Sequence, residues 1–122
     1  MIKRGEIYFI DFDPAIGHEQ KGRRPALVVS CNDVNRLPLV ATVIVGSRGE
    51  KMARDFWTTV RTKAAETGLK YDTVFYAMQI RALDHSRFRD ARGKPLAPAG
   101  VMPPAKMAEV ERALRLVLDL DD

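Results

Sequence analysis

The chain holds a single cysteine, Cys31, among its 122 residues. One thiol cannot build an internal disulfide framework or a cysteine-based zinc site. Lying beside the apolar run Ala26–Val29, it is expected to be an inert, partly buried thiol. Histidine is also scarce. His18 and His85 are the two present, far apart and without a carboxylate cluster, so no metal site and no cofactor are expected. No apolar run approaches the ~20 residues of a membrane span. The polar start Met1–Gly5 leads directly into a strand-like segment, so no signal peptide is expected, and the protein is placed in the cytoplasm with no membrane partner. Internal repeats, low-complexity tracts and linkers are missing too, which leaves one domain over residues 1–122 with one modest core. There is no Gly-x-Ser-x-Gly nucleophile elbow. The stretch Gly46–Lys51 is not a phosphate-binding P-loop, because its spacing is wrong and no serine or threonine follows the lysine.

What is present is an ordinary globular balance, with 46% hydrophobic and 30% charged residues. Twenty lysines and arginines outnumber sixteen acids, for a net charge of +4. That balance alone points only weakly to a polyanionic partner. Its distribution says more. The basic residues Arg81, Arg87, Arg89, Arg92 and Lys94 face only Asp84 and Asp90 across the same stretch, whereas Ala105–Asp122 is acidic. The basic run reads either as a solvated face or as a phosphate track, with too few aromatics for base stacking.

Hydrophobic periodicity predicts mainly strands. Glu6–Phe12 alternates, Pro25–Cys31 is a short continuous apolar run, Leu39–Val45 is β-branched, and Phe56–Arg61 and Asp72–Met78 follow. Gln79–Leu83 is either a sixth strand or a continuation of the fifth. Asn32–Pro38 carries turn chemistry, Gly46–Asp55 a polar loop, and Thr62–Tyr71 a connection through Gly68. Leu83–Asp90 has room for one helical turn begun by Asp84 or Ser86. Gly93–Met102 reads as irregular. After Pro103 and Pro104, residues Met107, Val110, Leu114, Val117 and Leu118 recur at three and four, an amphipathic helix of about four turns. The expected fold is therefore mainly β: a small, strongly curved antiparallel sheet or barrel closed by a C-terminal helix, whose apolar stripe is expected to cover the one face that the strands bury.

The segment Gly17-His-Glu-Gln-Lys-Gly-Arg-Arg-Pro25 concentrates ionisable chemistry in a short connection. Gly17 and Gly22 permit left-handed backbone and close approach to a ligand. His18 can exchange a proton near neutral pH and Glu19 can accept one. Arg23 and Arg24 offer planar forks that match phosphate oxygens, and Pro25 anchors Arg24 at a strand start. A rigid cation beside proton-exchanging groups is what phosphodiester cleavage requires. A solvated hairpin loop with surface ion pairs has the same composition. Ser47, just after a strand, suits a phosphate contact or a turn equally. His85 reads as a surface or capping residue.

The run Arg4–Arg36 resembles the N-terminal half of the MazF/PemK toxins. The matching positions are Arg4–Tyr8, the Asp13-Pro14 turn, and Gly17, Glu19, Gln20, Gly22, Arg24 and Pro25 at fixed spacing. A looser match covers Gly68–Asp84. The resemblance implies an SH3-like barrel of the CcdB/PemK type and a homodimer. It also implies a toxin that cleaves single-stranded RNA without metal, by attack of the 2′-hydroxyl, to cyclic phosphate and 5′-hydroxyl ends. Its implied partner is an acidic antitoxin. By position, Arg24, Ser47, His18 and Glu19 become the catalytic candidates. Gln20, Lys21, Arg23, Arg48, Gln79 and Arg81 become the RNA-binding candidates. Three positions depart from the pattern. Gly46 stands where relatives often carry threonine. Tyr76 and Met78 stand where some PemK-type members carry arginine and aspartate. A catalytically impaired RNA-binding relative is therefore an alternative, as is a CcdB-like gyrase poison without hydrolytic activity. The Gly-x-Glu-Gln-x-Gly-x-Arg-Pro pattern argues for the ribonuclease branch.

Overall fold

A computed structural model gives the architecture and describes residues 1–49 and 57–121. The chain runs β1 (Glu6–Asp11), β2 (Arg23–Val28), α1 (Asn32–Asn35), β3 (Val40–Arg48), β4 (Thr59–Thr62), α2 (Ala64–Thr67), β5 (Thr73–Asp84), a 3₁₀ turn (His85–Phe88), β6 (Gly100–Val101) and α3 (Pro104–Leu118). The six strands form one antiparallel sheet in the order β4-β5-β3-β2-β1-β6. The mainly β fold with a C-terminal helix is thus the observed one.

Several expected boundaries move. β3 extends through Gly46, Ser47 and Arg48, so Ser47 lies in a strand rather than on a loop. The expected polar loop through Asp55, and Phe56 at the expected start of β4, fall at residues 50–56, outside the described residues. Gln79–Leu83 continues β5 instead of making a separate strand. The turn segment after Cys31 folds as the short α1, and the Pro- and Gly-rich stretch ends in β6. Cys31 itself is exposed, because it precedes α1 rather than ending β2.

Strand alternation distributes the apolar residues to two faces. Ile7, Leu27, Ile44, Phe75 and Ala77 pack with Val110 and Ala113 of α3. Tyr8, Ile10, Phe12, Ala26, Val28, Val43, Val45 and Leu83 form a second cluster with Phe88 of the 3₁₀ turn. The sheet therefore buries both faces, not the single face under the helix that patterning suggested. Phe88 closes the second one, its ring edge-on to Tyr8 at 5.2 Å between centroids. A register shift of β5 against Ile44 and Val45 bends the sheet between them.

The conserved-looking start of the resemblance turns out to be architectural. Arg4 donates through Nη1 to the Val29 carbonyl and through Nη2 to Glu111 of α3 at 2.6 Å. Glu6 accepts from the Tyr8 hydroxyl at 2.7 Å. Burial and this contact raise the Tyr8 pKa. Pro104 opens α3 at its first position, as expected. Leu118, counted in the apolar stripe, is 46% exposed, whereas its neighbour Val117 packs against the core. Beside β6, a β-carbon on Gly100 would lie 2.5 Å from the Thr67 carbonyl oxygen and 3.0 Å from Leu69. Gly100→Ala is expected to destabilise the protein by about 1–3 kcal/mol through overpacking, read as a lower urea midpoint at unchanged m-value.

Candidate RNA-cleavage site

The β1–β2 connection is ordered by its own backbone. The Phe12 amide donates to the Gly22 carbonyl at 2.8 Å, and the Gly22 amide to Asp13 Oδ1 at 2.9 Å. Gly22 sits at φ +72, a conformation that residues with side chains rarely adopt. Glu19 folds back, its Oε1 accepting from the Ile16 amide at 2.8 Å. Gln79 Nε2 donates to the His18 carbonyl at 3.1 Å and so ties the loop to β5.

Arg24 is half-buried at the start of β2, and its Nε donates to the Lys21 carbonyl at 2.9 Å. This bond orients the guanidinium and leaves both terminal nitrogens for a ligand. Ala26 and Val45 form the last described β2–β3 pair. Two residues further along each strand, Arg24 and Ser47 share a face by the period of two. Both line a cleft of about 390 Å³ together with Phe9, Arg23, Pro25, Arg48 and Tyr71. The Arg48 guanidinium lies 3.5 Å from the centre of the Tyr71 ring. Ser47 is 8% exposed, and its hydroxyl is 2.9 Å from the Tyr76 hydroxyl.

The other candidates gather elsewhere. His18, Glu19, Gln79 and Arg81 line a second cleft of about 330 Å³ with Ile16, Met78 and Ile80. Arg81 lies over the Phe12 ring at 5.2 Å, and its Nη1 is buried without a hydrogen-bond partner. Gln20 is half-buried and Lys21 exposed on the loop between the two clefts. The structure therefore brings Arg24, Ser47, Arg23 and Arg48 together but seats His18 and Glu19 beside Gln79. Asp84 caps the 3₁₀ turn as expected, accepting from the Ser86 amide at 2.9 Å; hydrogen bonding from the Ser86 side chain first, and from its amide, lowers the Asp84 pKa. His85 belongs to neither cleft. Its Nε2 is buried without a partner beside Tyr8 and Phe88. Among the described residues no group of histidine, cysteine, aspartate and glutamate could hold a metal ion. No helix among them is long and apolar enough to cross a membrane.

Residues 3–118 match the family described as PemK-like, MazF-like toxin of type II toxin–antitoxin system. The chain belongs to this family. It is 35% identical to endoribonuclease MazF9 of Mycobacterium tuberculosis, over 98% of each chain. Among solved structures it resembles MazF from Deinococcus radiodurans, with 30% identity, a TM-score of 0.73 and coverage of 97% of this chain and 96% of that one. A MazE–MazF structure from the same organism gives 27% identity and a TM-score of 0.69, covering 98% of both chains.

Two features of this toxin's cleft escaped the sequence reading. Tyr76 had registered only as a departure from the PemK pattern. Its place beside Ser47 depends on a diagonal between β3 and β5, and the strand period could assign only its face. Gly46 also gains a reason. A β-carbon there would lie 2.9 Å from the Phe75 ring and 3.0 Å from Thr73 Cγ2. Phe75 is fully buried, so the ring fills the space a threonine would need. Gly46→Ala is expected to cost about 1–3 kcal/mol by overpacking. Adding Phe75→Leu should recover part of that loss relative to Phe75→Leu alone, as measured by a double-mutant cycle in urea.

Proposed function

We propose that the chain is the toxin of a toxin–antitoxin pair and a metal-independent endoribonuclease acting on single-stranded RNA. In the proposed reaction the ribose 2′-oxygen attacks phosphorus and the bond from phosphorus to the 5′-oxygen breaks. The 2′-proton is lost and the leaving 5′-oxygen gains one, giving 2′,3′-cyclic phosphate and 5′-hydroxyl ends. The observation that carries this reading is the cleft in which a backbone-anchored Arg24 and a buried Ser47 hydroxyl face the same space. Arg24 would stabilise charge on the phosphoryl oxygens. Ser47 would hydrogen-bond a substrate oxygen, with Tyr76 as the positioning residue that replaces the hydroxyl missing at Gly46. His18 and Glu19 are the proton-exchanging groups of the loop but line the Gln79 cleft, so taking the 2′-proton in this reading requires the loop to carry one of them to the Arg24 cleft. Arg23, Arg48, Gln20, Lys21, Gln79 and Arg81 hold the flanking strand.

The family description supports an antitoxin partner. An acidic segment of it would compete with RNA for the basic clefts. The protein is read as a cytoplasmic homodimer. In support, Val34, Leu37, Leu39 and Val40 are exposed close together along the chain and offer an apolar face to a second copy. Light scattering of the purified protein measures that assembly.

The activity is tested by incubating the protein with a long single-stranded RNA in EDTA and mapping the ends. Cleavage to 5′-hydroxyl ends is expected, with Arg24→Ala reducing the rate by about 10²-fold or more. RNA bound but uncut would identify a catalytically impaired relative. Gyrase inhibition without RNA binding would identify the gyrase-poison reading. Ser47→Ala and Tyr76→Phe are each expected to lower kcat about ten-fold, or ~1.4 kcal/mol, with KM little changed. The double variant should be no slower than Ser47→Ala alone, since both changes remove one hydrogen-bonded unit.

A further inference from the structure

Beyond the Arg24 cleft, on the side away from Gln79, lies a third cleft of about 430 Å³, between the ends of β1 and β2 and the 3₁₀ turn. Phe9 and Arg23 line both clefts, so the two share a wall. We propose that single-stranded RNA seated at Arg24 continues past Arg23 into this cleft, where Arg87 and Arg89 hold its phosphate backbone. The proposal rests on the ribonuclease reading above and adds a subsite for the flank of the substrate.

Charge and geometry carry it. Arg23, Arg87 and Arg89 line the cleft together with Asp11 and Asp90. One oxygen of each carboxylate is engaged by backbone amides. Asp11 Oδ1 accepts from the Asp13 amide at 2.9 Å, and Asp90 Oδ1 accepts from the Arg92 and Lys94 amides, each at 2.9 Å. Neither carboxylate pairs with an arginine of the cleft. The guanidinium groups are anchored by carbonyls instead. Arg87 Nη2 donates to the Asp11 carbonyl, and Arg89 Nη1 to the Gly93 carbonyl at 2.8 Å. Each anchor uses one donor of a five-donor fork and holds the remaining donors in place. Neutral carbonyls leave the full positive charge unpaired, and a phosphate diester complements it. A cation held before the ligand arrives loses less side-chain freedom on binding. The apolar wall consists of Phe9, Ile10, Ala91 and Leu96. It offers one aromatic ring to stack a base, so the subsite reads backbone and tolerates many sequences.

The probe is fluorescent random-sequence RNA with 2′-O-methyl groups, which cannot attack phosphorus. Lengths of about 4 and about 12 nucleotides bracket a single cleft and an extended track. Affinity is measured by anisotropy across a salt series. For the longer RNA, Arg89→Ala and Arg87→Ala are each expected to weaken binding about five-fold or more. Each should also reduce the magnitude of the slope of log K against log salt by about 0.7, the value for one phosphate contact on a single strand. Binding of the shorter RNA should change less than two-fold. Arg87→Lys keeps the charge and should retain most of the slope, which separates a phosphate contact from a purely structural bond to Asp11. Arg112→Ala, on the exposed side of α3, is the control that leaves both lengths unchanged. Folded Arg87 and Arg89 variants that keep the wild-type slope, or that lose affinity equally for both lengths, overturn the subsite. If wild-type protein cuts RNA and Arg24→Ala does not, that result removes the subsite alone. If wild-type protein neither binds nor cuts RNA, the ribonuclease reading falls with it.

Discussion

The pairing of β3 with both of its neighbours is the constraint on which the cleft depends. Val43, Ile44 and Val45 pair with Val28, Leu27 and Ala26 on one side, while the whole of β3 pairs with β5 on the other. Because side chains alternate with a period of two, a one-residue slip would exchange the two faces of the strand. Ser47 would turn toward the side that Phe75 fills, and the Tyr76 hydroxyl would lose its neighbour. Burial on both faces of the sheet penalises such a slip heavily, since it would misplace Ala41, Val43 and Val45 against one core and Ile44 against the other. The same register that packs the two cores therefore places Ser47 beside Arg24 and Tyr76.

The loop that carries the cationic chemistry is held in a different way. Asp13 accepts from the Gly22 amide through its carboxylate, Gly22 and Lys21 supply carbonyls, and Arg24 is oriented by a carbonyl instead of a carboxylate. A carboxylate partner would neutralise the charge a phosphate has to meet; a carbonyl aims the guanidinium and leaves its charge intact. The same device recurs at Arg87 and Arg89. The acids nearby, Asp11 and Asp90, each engage one oxygen in a turn and pair with neither arginine. Moderate net charge is thereby turned into a locally positive surface by placement alone.

Much of the architecture was legible in local patterns. The alternation in Glu6–Phe12, the apolar run after Pro25 and the spacing of Met107, Val110 and Leu114 are one-dimensional signals with direct structural causes. The placement of Arg24 at a strand entry was legible because a glycine-rich connection precedes it and a proline follows it. The errors lay where chain geometry overrode composition. Cys31 was read as partly buried from its apolar neighbours, but the chain leaves the sheet just before it. Leu118 fits the helical stripe, yet in the last turn it is Val117 that reaches the core. The single buried face was inferred from one amphipathic helix, whereas Phe88 on a short turn covers the second.

The sequence by itself determined the element types, the helix stripe, the basic body and the residues available for chemistry, because each follows from neighbours close along the chain. Tertiary structure alone decided how those residues are grouped. His18 and Glu19 belong to the cationic loop yet line the Gln79 cleft, while Arg24, Ser47 and Tyr76 come from β2, β3 and β5, neighbouring strands in the interior of the sheet. Register and sheet curvature set those distances, and both depend on the packing of strands remote in sequence.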